Sequence, residues 1–97
     1  MEKNKMATLD LTGCKYLGEM HQRIKDAFDF PDYYGENWHA FKDAFITVGV
    51  PERIEVIGTD TLPKVLAEDV AHMVSVFESM KKELSSYKIP FDYEVIV

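Results

Sequence analysis

Apolar and polar side chains alternate in short stretches near the start, the middle and the end of the chain. Residues 6–11 alternate apolar and polar positions, which is typical of a strand with one buried face. Residues 53–57 form a short β-branched run, and residues 91–97 follow a proline as a further short stretch. The pattern predicts three strands.

Between these strands, apolar residues recur with the spacing of amphipathic helices. One helix is predicted over about 16–28 and another over 68–85. A helix between them begins after Asn37, whose side-chain oxygen can accept from backbone N–H groups two or three residues on. Gly49 and Pro51 end this second helix. Its apolar stripe, expected in the core, comprises Trp38, Phe41, Phe45 and Val48.

A fourth, short helix is predicted over 62–66, with Asp60 as its cap and Pro63 tolerated in its first turn. The elements then follow the order β, α, α, β, α, α, β. Strands joined by helical crossovers lie parallel, with right-handed connections. The predicted fold is a single α/β domain over residues 1–97, a three-stranded parallel sheet packed with about four helices.

The composition is that of a globular protein. Ninety-seven residues suffice for one core, and 46% apolar with 29% charged side chains argues against disorder. No apolar run reaches the roughly 18 residues that span a bilayer, and the polar first residues lack the apolar region of a secretory signal. A lone cysteine, Cys14, fits a reducing compartment. We expect a cytoplasmic monomer.

Charge limits the class of partner. Acidic side chains outnumber basic ones by 17 to 11, and the basic ones are dispersed, so a cationic stripe for nucleic acid is lacking. From Asp26 to Asp43 there are five acids and one cation, Lys42. Such a patch favours a basic protein partner. The alternative is a solvated acidic surface that binds nothing.

The stretch 31–45 joins an aromatic loop to the second helix and has the character of a presented surface. Adjacent tyrosines, Tyr33 and Tyr34, can bury one ring and expose the other as a contact group. Gly35 permits a backbone bend that a Cβ would resist. Four side chains of the helix lie off the apolar stripe on another face: His39, Lys42, Asp43 and Ile46.

His39 and Asp43 also raise an enzymatic alternative. Their i, i+4 spacing can hold a metal or orient an imidazole, but a structural metal site needs about four ligands and no third is identified. The other histidines, His21 and His72, are expected at the surface or its rim. No nucleophile motif, phosphate loop or zinc spacing occurs. We therefore expect no enzymatic activity, cofactor or metal.

A signature centred on the loop matches a known family. The residues that carry it are His21 and Gln22, the run Pro-Asp-Tyr-Tyr-Gly-Glu-Asn at 31–37, Ala40, Asp43, Val76, Phe77 and Lys81. Together they resemble the barstar family, intracellular inhibitors of the secreted ribonuclease barnase, whose fold is a three-stranded parallel sheet packed with helices. The resemblance implies that the loop and second helix plug a ribonuclease active site. Carboxylates there take the place of substrate phosphate.

By position, the loop residues Tyr33, Gly35 and Asn37 match the family pattern. Asp43 matches the helix aspartate that carries most weight in the family. The resemblance therefore assigns partner contacts to the loop and to this face of the helix.

Other positions depart from the family. His39 stands in place of an interfacial aspartate, and Lys42 in place of an interfacial tryptophan. Ser79 replaces a contacting glutamate on the last helix, with Glu78 adjacent, and Val48 stands where the family has an aromatic residue. Because Lys42 would meet a cationic ribonuclease site with partial repulsion, we expect weak or no inhibition of barnase itself.

The function expected from the resemblance is that of an inhibitor or immunity protein that binds a ribonuclease or related toxin enzyme 1:1 through residues 31–46. The alternative is a barstar-fold interaction module with a non-nuclease partner. The expected contact residues are Tyr33, Tyr34, Gly35, Asn37, His39, Lys42, Asp43, Ile46, Glu78 and Ser79.

Overall fold

The computed structural model describes residues 6–32, 34–35 and 37–96. Its sheet contains three parallel strands: β1 (Met6–Asp10), β2 (Arg53–Ile57) and β3 (Asp92–Ile96), in the order β1-β2-β3. Because β2 is central, it pairs along its whole length with both neighbours. The predicted parallel sheet of three strands is confirmed.

Three α-helices connect the strands: α1 (Leu17–Phe28) follows β1, α2 (Trp38–Val48) precedes β2, and α3 (Ala67–Ser86) leads to β3. Asp29 ends α1 in the left-handed conformation, with φ of 56°. Gly49 ends α2 with φ of 94°, a backbone conformation that favours glycine. These three helices lie within two residues of their predicted bounds.

The prediction of a fourth helix over 62–66 is wrong. In its place lie two single 3₁₀ turns, Thr59–Thr61 and Lys64–Leu66, separated by extended backbone. Leu62 has ψ of 146° and Pro63 has ψ of 154°, so the chain leaves the helical region at both residues. Proline disfavours the α conformation of the residue before it, which explains the break. The described part of the chain therefore has three α-helices rather than about four.

The core lies between one face of the sheet and the helices. In β2, Ile54 and Val56 are fully buried, while the residues that alternate with them, Arg53, Glu55 and Ile57, are half-exposed. From the helices, the largest fully buried side chains are Met20, Ile24, Phe41, Phe45, Met73 and Phe77. The phenylalanines of α2 pack edge-on, with 5.2 Å between the ring centroids of Phe41 and Phe45. Phe41 and Phe45 of the predicted stripe are thus confirmed in the core, together with Ala44, while Trp38 and Val48 at the two ends of α2 are half-buried.

The opposite face of the sheet carries charges. Glu55 and Glu94 are direct register partners on β2 and β3, and like charges in that position repel. The guanidinium of Arg53 forms ion pairs with both carboxylates and with Asp92 at the start of β3. Arg53 therefore acts as the counter-ion of this face.

Candidate protein-binding surface

The loop that precedes α2 is anchored by two aromatic side chains. Phe30 is 4% exposed and its ring centroid lies 5.0 Å from those of both Tyr34 and Phe45. Tyr34 is 8% exposed, and its hydroxyl oxygen is hydrogen-bonded to Nδ1 of His21 at 2.7 Å. The loop is therefore packed onto α1 and α2 on its inner side.

Two expectations change with this packing. His21, expected at the surface or rim, is 1% exposed and belongs to the core. Its spacing of four residues from Leu17 and three from Ile24 places it on the apolar side of α1, so the helical pattern did indicate burial. Its partner, Tyr34, lies 13 residues away in sequence, and that contact could not be read from local spacing. Tyr34 is buried, and it supports the loop instead of presenting its ring. Tyr33, the other expected contact, lies outside the described residues.

Asn37 joins the loop to the first turn of α2. Its Oδ1 accepts a hydrogen bond from the backbone N–H of Ala40 at 2.8 Å, which confirms the predicted N-cap. Its Nδ2 donates to the carbonyl of Gly35 at 3.1 Å. A Cβ on Gly35 would lie 3.2 Å from that Nδ2 and 3.3 Å from the Cβ of Ala40. Gly35 does not take a positive φ, so close approach to the cap is what favours glycine.

Trp38 ties the start of α2 to the start of α3. Its indole Nε1–H donates to Asp69 at 3.4 Å, and its ring stacks on His72 with centroids 5.7 Å apart. The imidazole of His21 packs on the indole as well, with 4.7 Å between centroids. Trp38 is half-buried, so it lies at the border of the core where Phe41 lies inside it.

The outer face of α2 presents the four side chains that the sequence assigns to it. They are His39, Lys42, Asp43 and Ile46, at i, i+3, i+4 and i+7 along the helix. Ile46 is 78% exposed, and His39 and Asp43 are exposed as well. Within the described ranges, Asp43 forms no ion pair, and it is not paired with His39. The carboxylate of Asp43 is thus available to a partner.

Lys42 is the side chain of this face that forms an ion pair within the described part of the protein. Its Nζ lies 3.1 Å from Oε2 of Glu83 on α3. Ser79 lies one turn before Glu83 and on the same side of α3. Glu78 lies elsewhere, because it accepts a hydrogen bond from the hydroxyl of Tyr93 on β3. The structure brings Ser79 near the α2 side of α3 and leaves Glu78 apart from it.

Glu83 is the residue of this region that the sequence analysis missed. It lies 41 positions from Lys42, and their pairing follows from the packing of α2 on α3. Its i+4 relation to Ser79 is the one signal that could have indicated it, once Ser79 was assigned to the surface.

The family follows from a comparison with known proteins. A family model described as "Barstar (barnase inhibitor)" matches residues 4–96. The chain belongs to the barstar family. The match spans every strand and helix of the fold, including both helices that carry the candidate surface. A search of curated proteins gave no match for this barstar-family chain.

The barstar-family description names an inhibitor. No group of three or more His, Cys, Asp or Glu side chains within residues 6–32, 34–35 and 37–96 is arranged to hold a metal ion. In the described part of this barstar-family chain, no helix is long and apolar enough to cross a membrane. The exposed, charged face of α2 is therefore the candidate protein-binding surface.

Proposed function

We propose that this protein is a cytoplasmic, non-enzymatic inhibitor that binds a ribonuclease or a related toxin enzyme 1:1 and covers its active site with residues 31–46. The observation that carries the proposal is Asp43. Its carboxylate is exposed on α2 and is engaged in no ion pair with any described residue. Family membership supports an inhibitor as the general class.

The chemistry of such a contact follows from charge. A ribonuclease holds the phosphates of its substrate with cationic side chains, and a carboxylate can accept hydrogen bonds from the same groups. No ion pair between Asp43 and another described residue has to be broken before it can do so. The formal net charge of −6 would also speed the encounter with a basic enzyme.

Rigidity supports the proposal as well. The Asn37 cap and the Trp38 stack hold the start of α2 in place, and Tyr34 is buried before a partner arrives. A surface that is already ordered loses less conformational entropy on binding than a flexible one. We therefore expect the free and bound forms of α2 to be alike.

A second candidate function is a barstar-fold interaction module whose partner is not a nuclease. The observation that favours it is the pair of departures on α2, where His39 and Lys42 stand in place of the family's interfacial aspartate and tryptophan. Such a partner would still contact the outer face of α2. It would not lose RNA-cleaving activity on binding, since it has none.

The test is a calorimetric titration of the protein into barnase and other basic ribonucleases, with RNA cleavage measured in parallel. Asp43→Ala should weaken binding at least about tenfold, since hydrogen bonds to a charged group contribute roughly 1.5–3 kcal/mol. Asp60→Ala is the charge-matched control, because Asp60 is exposed on the 3₁₀ turn Thr59–Thr61 and should leave affinity unchanged. Equal losses in both variants would contradict a specific role for Asp43. Binding without inhibition of cleavage would contradict coverage of the active site, and no binding to any of these ribonucleases would favour the second candidate.

A further inference from the structure

Lys42 lies beside Asp43 in the sequence, and its charge opposes the one on which the proposed contact depends. An ammonium group on this face would reduce the attraction between Asp43 and a cationic site. The structure shows where that ammonium goes. The Nζ of Lys42 pairs with Oε2 of Glu83, which directs the side chain toward α3.

The pair is placed at the surface, where a partner could meet it. The side chain of Lys42 is 38% exposed and that of Glu83 is 56% exposed. Both lie on the side of the molecule where α2 and α3 meet, next to the outer face of α2. With Glu83 present, the group of Lys42, Asp43 and Glu83 keeps one net negative charge; without it, the group would be neutral.

We propose that Glu83 is a specificity-determining residue of the partner-binding surface. By holding Lys42 in an ion pair, Glu83 keeps the face that carries Asp43 net negative, so that the surface fits a basic enzyme cleft. This inference rests on the proposed function, and it names the chemical class of the partner: a protein with a cationic site opposite Asp43.

A purely structural role for Glu83 makes a different prediction. Exposed ion pairs contribute little to folding stability, so a simple bridge between α2 and α3 could be removed with little effect on fold or binding. If Glu83 instead neutralises the ammonium of Lys42, which we call the masking role, its removal should change the affinity for the partner. The size of that change should depend on whether Lys42 is present. The two roles can be separated by a double-mutant cycle.

The cycle compares wild type, Glu83→Gln, Lys42→Met and the double variant in titrations with barnase at low ionic strength. Glu83→Gln should weaken binding about fivefold, because one charge–charge contact near 4 Å in a solvated setting is of that order. Lys42→Met should strengthen binding about fivefold. In the double variant no ammonium is left for Glu83 to neutralise, so its affinity should equal that of Lys42→Met, and all of the differences should shrink as salt is raised. Glu68→Gln, which removes an exposed charge from the first turn of the same helix, is the matched control.

Each result decides the question. If Asp43→Ala abolishes binding while Glu83→Gln and Lys42→Met leave the dissociation constant unchanged, the masking role is wrong and the proposed function stands. If Glu83→Gln weakens binding equally with and without Lys42, Glu83 is an independent contact and the masking role is again wrong. If neither wild type nor Lys42→Met binds barnase or any of the other basic ribonucleases at concentrations up to about a millimolar, both proposals are wrong.

Discussion

The N-cap of α2 allows a stability prediction that also tests how the candidate surface is supported. Replacing Asn37 by alanine removes the acceptor for the N–H of Ala40 and the donor to the carbonyl of Gly35. The lost cap costs about 1 kcal/mol and the lost exposed amide contact about 0.5 kcal/mol more. We expect Asn37→Ala to lower the free energy of unfolding by roughly 1.5 kcal/mol. For a domain of 97 residues this corresponds to a fall in Tm of about 6–12 °C.

Asn37→Asp is the variant that separates the two contacts. The carboxylate can still accept from Ala40 and gains from its position at the N-terminus of the helix, but it cannot donate to Gly35. We expect its stability to lie within about 0.5 kcal/mol of wild type near neutral pH, because the gain at the helix end offsets the lost donor. Below the carboxyl's ordinary titration range, that advantage should decline.

Urea denaturation followed by fluorescence of Trp38 measures the free energy of unfolding of both variants. Trp38 is a suitable probe because it is the single tryptophan and the first residue of α2. Hydrogen exchange at the amide of Ala40 gives the local measurement. Its protection should be reduced in the alanine variant by more than global stability explains, and retained in the aspartate variant. If the two variants were equally destabilised, the acceptor of Asn37 would not be what holds the start of α2. An alanine variant as stable as wild type would refute the capping argument altogether.

Two further predictions concern the sheet and α3. Arg53→Met should lower the free energy of unfolding by about 1 kcal/mol at low salt, because Glu55 and Glu94 then face each other without their counter-ion. In urea titrations, addition of Glu94→Gln should restore most of this loss. If Glu94→Gln restores none of it, the loss comes from packing and not from charge repulsion. Burial, with the hydrogen bond to Glu78 as the second cause, raises the pKa of Tyr93 to about 12 from its ordinary 10.0. The unfolded chain therefore releases this proton first, and stability should fall between pH 10 and 12. Unfolding titrations at pH 9 and pH 11 should show a smaller fall for Tyr93→Phe, and equal falls would contradict the assignment.

Much of the fold could be predicted because its signals are local. The range 53–57 agrees with β2 at both ends, and 16–28 differs from α1 by one residue at its start. Strong periodicity and clear stop residues produce this agreement. The failure at 62–66 has a local cause too. A proline is tolerated in the first turn of a helix, but Pro63 also imposes an extended backbone on Leu62, which breaks the predicted helix.

The candidate surface was less predictable because its supports are long-range. The pairing of His21 with Tyr34, and that of Lys42 with Glu83, depend on how separate elements pack together. A helical projection shows which side chains share a face, but it does not show what lies opposite them. The projection places Asp43 on an outer face correctly. It also places His21 beside Leu17 and Ile24, so the surface prediction for His21 rests on residue type and not on position.

The same short helix carries both the core stripe and the proposed contact face, and this decides which variants can test function. Phe41 is fully buried, so a substitution there would destabilise α2 and weaken binding even if the Phe41 side chain does not contact the partner. A change at Tyr34 would act in the same way through the loop. Asp43 is different, because it is exposed and holds no other described residue in an ion pair. A loss of binding in Asp43→Ala at unchanged stability would therefore reflect the contact itself, and the Asn37 variants show how large an effect support alone can produce.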